Sequence, residues 1–174
     1  NLIAIVNGKP QILTLKDMLQ NSIDFQCEII ERRTRFEMKK AEERAHILEA
    51  LKKAIDFIDE VISIIRNSKT IPESKERLAE RFGFDDVQTT AIVQMQLGKL
   101  AGMEKQKIEE ELQEKYDFIK ECQDILSNHS RVLDIVKTDS LNLRDKYADN
   151  RRTEISAVSG EVDIEDLIPE EECV

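Results

Sequence analysis

The sequence predicts an all-α protein: a long antiparallel coiled-coil hairpin carrying a small helical globular tip, with a short β-strand at the N-terminus. Three observations predict it. No Gly or Pro occurs between Pro10 and Pro72, nor between Gly102 and Gly160, so two long stretches are free of helix breakers. The breakers Pro72, Gly83, Gly98 and Gly102 crowd into the short segment between them. Finally, Leu48, Leu51, Ile55, Ile58, Ile62 and Ile65 alternate spacings of three and four, the seam period of packed helices. The chain goes out, turns and returns.

Composition agrees. The 174 residues are 40% apolar and 36% charged, with 5% aromatics and no Trp, which favours helix seams of Ile, Leu, Val and Met over a sandwich core. The net charge is −10, but residues 1–70 hold 12 Lys+Arg against 11 Asp+Glu, leaving 14 against 25 beyond them. A chain so acidic is not, as a whole, an autonomous nucleic-acid module. Cys27, Cys122 and Cys173 are odd in number and unpaired in spacing, which points away from a disulfide framework or zinc site and towards a cytoplasmic setting. No apolar run approaches the ~20 residues that span a bilayer, so no membrane partner is expected. The chain opens at Asn1 without Met, as a piece of a longer protein would.

Residues 1–14 read as strand and turn. Leu2 to Val6 has the make-up of a buried strand, Asn7-Gly8 tolerates positive φ, and Thr14 is placed to cap a helix. Residues 15–71 form the first arm. Its proximal stripe is thin, through Met18, Leu19, Phe25, Ile29 and Phe36, and distally Ile47, Ala54 and Val61 widen the seam. Residues 72–102 form the tip, with a short helix around 74–82 and another capped by Asp85 and running to about Gly98. Leu78, Phe82, Phe84, Val87, Ile92, Val93, Met95, Leu97, Leu100 and Met103 are more apolar side chains than thirty residues can hide alone. Residues 103–150 form the returning arm, with Ile108, Leu112, Tyr116, Ile119 and Leu126 before an interruption at 127–130, and Val132, Ile135, Val136, Leu143 and Tyr147 after it. At 1.5 Å per residue, arms of some fifty residues would reach ~75 Å. Residues 151–174 lose helical periodicity and read as an acidic linker.

Catalytic chemistry is sparse. Glu43 and His46 match one half of a di-iron motif, but the second Glu-x-x-His and two further glutamates are missing. Gly8-Lys9 lacks the rest of a phosphate loop, and Asn128-His129-Ser130 is a sequon only in form. No catalytic residue, metal ligand or resident cofactor is assigned. Two surfaces stand out instead. Ile92, Met95, Leu97, Leu100 and Met103 concentrate apolar surface where the hairpin turns and are the candidate contact with a second copy. Arg32, Arg33, Arg35, Lys39 and Lys40 form the single basic concentration, either a DNA-facing patch or a solvated face balanced by Glu31, Glu37, Glu42 and Glu43.

Residues 32–49, Arg-Arg-Thr-Arg-Phe-Glu-Met-Lys-Lys-Ala-Glu-Glu-Arg-Ala-His-Ile-Leu-Glu, resemble the arm of the A subunits of bacterial type IIA DNA topoisomerases, the family of gyrase and topoisomerase IV. The resemblance continues through Ile58-Asp59-Glu60-Val61-Ile62, through Ala91 to Leu97, and through Lys107 to Glu111. It implies that the arm joins a DNA-cleaving core to a tip that dimerises as an exit gate. It also implies a nucleophilic tyrosine in an upstream domain, and ATP and Mg used by a parent enzyme acting on double-stranded DNA with a partner subunit. Asp163 to Glu171 looks like the lead-in to the DNA-wrapping domain of the gyrase type, whose partner is the gyrase B subunit. Gln96, Gly98 and Lys99 depart from the arginines common in the family. An antiparallel coiled-coil spacer shares the seam but needs no tip, and a metal-dependent helical bundle rests on Glu43 and His46 alone.

Overall fold

The computed structural model describes residues 2–96, 102–153 and 155, with side chains for these apart from 102–104. Two strands, β1 (Leu2–Val6) and β2 (Lys9–Leu13), precede six helices: α1 (Leu15–Asp56), α2 (Ile58–Asn67), α3 (Ile71–Phe82), α4 (Asp86–Val93), α5 (Gly102–Ser127) and α6 (His129–Tyr147). The described residues are thus mostly helical, as the breaker pattern predicts. The chain divides into two units, residues 1–140 and 141–174.

The strands pair antiparallel with Ile5 opposite Pro10, and Asn7 (φ 52°) with Gly8 (φ 76°) makes the two-residue turn that their tolerance of positive φ allows. Two sequence expectations change here. The second strand was not foreseen, because Pro10 argues against a strand. Pro10 is tolerated because a two-stranded ribbon has only edges. Nor is β1 buried: Leu2, Ile3 and Ile5 are exposed, because among the described residues only the start of α1 touches the ribbon.

Thr14 caps α1 as expected, its hydroxyl accepting from the Asp17 N–H while the Asp17 carboxylate accepts from Thr14 N–H. α1 then runs for 42 residues, with α5 packed antiparallel against it. Leu48 and Ala45 meet Ile108 and Leu112, with Ile55 and Ile119 alongside. Further along, Cys27 and Ile30 pack on Val132 of α6, with Ile125, Ile135 and Val136 around them. The proximal face differs from the expected one. Cys27, Ile30, Thr34, Ala41 and Ala45 face the seam, whereas Leu19, Phe25, Ile29 and Phe36 lie on the exposed side. Small side chains win the contact there because they let two helices approach closely, leaving the bulky residues outside.

The first arm is not one helix to residue 71. It breaks at Phe57 (φ −113°, ψ 36°), and α2 belongs with α3 and α4. The break re-aims the stripe: Val61, expected beside the seam, is 1% exposed, while Ile58 and Ile62 are only partly covered. The tip closes around Ala50, Leu51, Ala54, Val61, Leu78, Phe84 and Ile92. Thr70 caps α3 with Pro72 in its first turn, and Gly83 ends it in the left-handed region (φ 75°), donating its N–H to Ala79 O. Asp85 and Gln88 form a capping box for α4, which ends at Val93 and so is shorter than predicted. Val87, counted among the tip's apolar set, is exposed.

The returning arm breaks at Asn128, inside the predicted interruption. Residues 141–153 complete α6 and continue without regular structure, Leu143 and Tyr147 being exposed. The acidic stretch 156–174 lies outside the described residues. No helix among the described residues is long and apolar enough to cross a membrane.

Candidate functional site

The tip offers an apolar cleft between α2 and α4. Amphipathic α2 turns Val61 into the core and leaves Ile58, Ile62 and Ile65 along its flank; Val93 and Met95 face them from the end of α4, with Arg66 at the rim. On the other side of Met95 a second groove runs between α1 and the end of α4, past Arg44, Ile47, Leu51, Ala91 and Gln94. Met95 therefore lines both the apolar cleft and this mixed groove.

Of the five residues singled out by sequence for contact with a second copy, Ile92 is 2% exposed and fills the tip's own core. Met95 is partly exposed at the cleft. Leu97, Leu100 and the side chain of Met103 lie outside the described residues. Ile58, Ile62, Ile65 and Val93 were read as seam or core; the signal for their exposure is the break at Phe57, which has no Gly or Pro to announce it.

The basic residues Arg32, Arg33, Arg35, Lys39 and Lys40 are all exposed on α1. Arg32 meets Glu28 at 3.6 Å and Arg35 meets Glu31 at 3.0 Å, one turn away in each case. Arg33, Lys39 and Lys40 form no ion pair among the described residues, and Lys40 lies over the Phe36 ring, 4.6 Å from its centroid. Glu37, Glu42 and Glu43, the expected counter-charges, pair with none of them. Phe25, Ile29 and Phe36 are exposed on the same helix as these cations.

The two arms are held in register by polar pairs. Lys105 meets Asp56 at 2.6 Å, Lys52 meets Glu109 at 3.4 Å, Tyr116 donates to Glu49, and Arg44 grips both oxygens of Glu111 at 2.7 and 2.9 Å. The Glu111 carboxylate holds the Arg44 guanidinium above its ordinary pKa, and Asp56 does the same for the Lys105 ammonium. Such half-exposed pairs contribute little each, but a one-turn slip would unmake all of them.

His46, noticed in sequence as half of a metal motif, points elsewhere. Its Nε2 lies 2.5 Å from Asp85 Oδ2 on the tip. Glu43 is not part of this contact. Cys27 and Cys122 are buried, and burial pushes both thiols up, away from the reactive thiolate. The described residues hold no His, Cys, Asp and Glu group able to bind a metal ion. What the geometry offers is contact surface and leverage.

Comparison with known proteins is consistent along the whole chain. The family of the DNA gyrase/topoisomerase IV A subunit matches residues 1–141. The chain is 45% identical over 174 residues to the DNA gyrase A subunit of Clostridium acetobutylicum and 46% identical to that of Halalkalibacterium halodurans, covering 100% of this chain and 21% of each relative. Over 175 residues it is 42% identical to the DNA gyrase A subunit of Staphylococcus aureus, covering 100% of this chain and 20% of the relative. The chain therefore spans about a fifth of the length of the curated relatives it matches.

Proposed function

The chain belongs to the DNA gyrase/topoisomerase IV A-subunit family, and from that premise we propose that it is the coiled-coil arm and dimerising exit gate of a gyrase A subunit. In this reading two copies meet through their tips, the arms carry strain, and separation of the tips releases a transported duplex during ATP-dependent supercoiling. The nucleophilic tyrosine and the ATPase reside in other parts of the parent enzyme, which takes Mg and ATP, works with the gyrase B subunit on double-stranded DNA and operates in the cytoplasm. This region makes and breaks no bond.

The observation that carries the reading is the apolar cleft of Ile58, Ile62, Ile65, Val93 and Met95, open at the tip of the hairpin. A gate must open, so a contact within the standard range of about 1,200 to 2,000 Å² suits it better than a vast permanent one. The basic face on α1 supports a DNA path along the arm. The gyrase assignment over topoisomerase IV rests on the relatives' names and on Asp163 to Glu171.

Sedimentation equilibrium over a wide concentration range tests the gate. A reversible dimer is expected, converted to monomer by Val93→Glu with Met95→Glu while helical circular dichroism is retained. A dimer indifferent to both changes would place the contact elsewhere and overturn the tip reading.

A further inference from the structure

We propose that His46 is a positioning residue: with Asp85 and Gln88 it clasps the tip to the arm in one orientation, so that motion of the arm reaches the tip contact. The inference rests on the exit-gate reading for its purpose, but its geometry stands on named atoms alone.

The clasp sits where α4 begins. Asp85 Oδ1 accepts from Gln88 N–H at 2.8 Å and Gln88 Oε1 accepts from Asp85 N–H at 3.2 Å, so the capping box has already fixed which way the Gln88 amide points. Its Nε2 is thereby aimed at α1, where it donates to His46 O at 3.0 Å and lies 3.3 Å from His46 Nδ1. A ring nitrogen facing an amide donor serves as an acceptor, which leaves Nε2 carrying the hydrogen and donating it to Asp85 Oδ2 at 2.5 Å. The same Asp85 and Gln88 side chains that cap α4 thus also bind His46, so the clasp is anchored in the cap. The bond to His46 is also among the influences holding the Asp85 carboxyl below its usual range, after the larger effect of the Gln88 N–H.

Location gives the clasp its leverage. His46 sits next to Ala45 and Ile47, two residues before Leu48, the fully buried centre of the α1–α5 seam, while Asp85 and Gln88 start the helix that ends at the Val93 and Met95 cleft. The apolar tip core fixes that α4 packs on α1, but apolar contacts are non-directional and allow sliding. Directed bonds fix where it stops. Lys53 adds a second strut nearby, donating to Phe82 O at 2.8 Å.

The test uses the full-length protein reconstituted with its partner, comparing His46→Phe, which keeps a ring without nitrogens, with His46→Gln, whose amide can still donate to Asp85. In His46→Phe, amide hydrogen exchange across α4 should quicken by roughly threefold to tenfold, the range that one ordinary hydrogen bond supplies. Duplex passage should slow while DNA cleavage and religation hold at the wild-type rate, and His46→Gln should restore both exchange and passage. Unchanged α4 exchange in His46→Phe would overturn the proposal, as would equal losses of cleavage and passage, which signify general unfolding. The exchange readout needs no contact between tips, so the exit-gate reading can fail in the sedimentation test while the clasp stands, and the reverse.

Discussion

Tyr116 shows how one side chain reports on the hairpin. Its hydroxyl donates to Glu49 across the seam, and that bond, followed by burial, pushes the phenol up to about 12. A group whose folded pKa exceeds its unfolded value of about 10 contributes stability that is fully present below that pH and is lost as pH rises from there through the folded value. Melting temperatures should accordingly fall more steeply above about pH 10 in the native chain than in Tyr116→Phe, which has no phenol to ionise. Parallel curves would mean that the bond is absent in solution. Gly83 makes a second residue-scale prediction: its φ of 75° strains any L side chain, so Gly83→Ala should destabilise by about 1 kcal/mol in chemical denaturation despite open space around it. Caps and turns of this kind were legible in sequence because their partners lie within three residues, as at Thr14 with Asp17 and at Asn7-Gly8. His46 was not, since Asp85 is thirty-nine positions away and nothing local announces it.

At the scale of elements, the seam and the breaks follow different rules. Seam positions were legible where large side chains repeat at helical spacing, as at Leu48, Ile108 and Leu112. They were misjudged near the start of α1, where Cys27, Thr34 and Ala41 take the contact and Phe25 and Phe36 stand outside. Periodicity marks an apolar stripe but cannot say which of two stripes meets the partner. The break at Phe57 escaped notice because its cause is tertiary. Residues before it pack against α5 and α4, residues after it pack against α3, and the Phe57 ring leans on Phe82 with centroids 5.8 Å apart. Two substitutions separate the arm from the tip. Leu48→Ala empties a fully buried site between α1 and α5, and Leu78→Ala empties one inside the tip. Each should destabilise by about 2–5 kcal/mol. Amide exchange should then quicken around Leu112 in the first variant and around Ile92 in the second. Matched loss everywhere in both would show that arm and tip unfold as one.

Across the whole molecule, charge separates along the chain: near-balance in the first seventy residues, and 14 Lys+Arg against 25 Asp+Glu beyond them. Net charge therefore says little about where a polyanion would approach, and the distribution decides. Arg32 and Arg35 are already engaged with Glu28 and Glu31, so they have carboxylates to surrender before meeting a phosphate. Arg33, Lys39 and Lys40 have no such partner among the described residues, so within this patch they would be the cations first available to a duplex. Each phosphate they neutralise would release about 0.9 of a counterion. Changing all three to Gln should lower the slope of log affinity against log salt by at most roughly 3, and weaken binding of unrelated duplex sequences alike, because phosphate contacts carry no sequence information. The measurement is DNA binding by the full-length protein over a salt series. An unchanged slope would return these residues to a solvated face, leaving the arm as a strut. A slope that falls with Arg32 and Arg35 changed instead, and not with the other three, would mean that the helix surrenders its own ion pairs on meeting DNA.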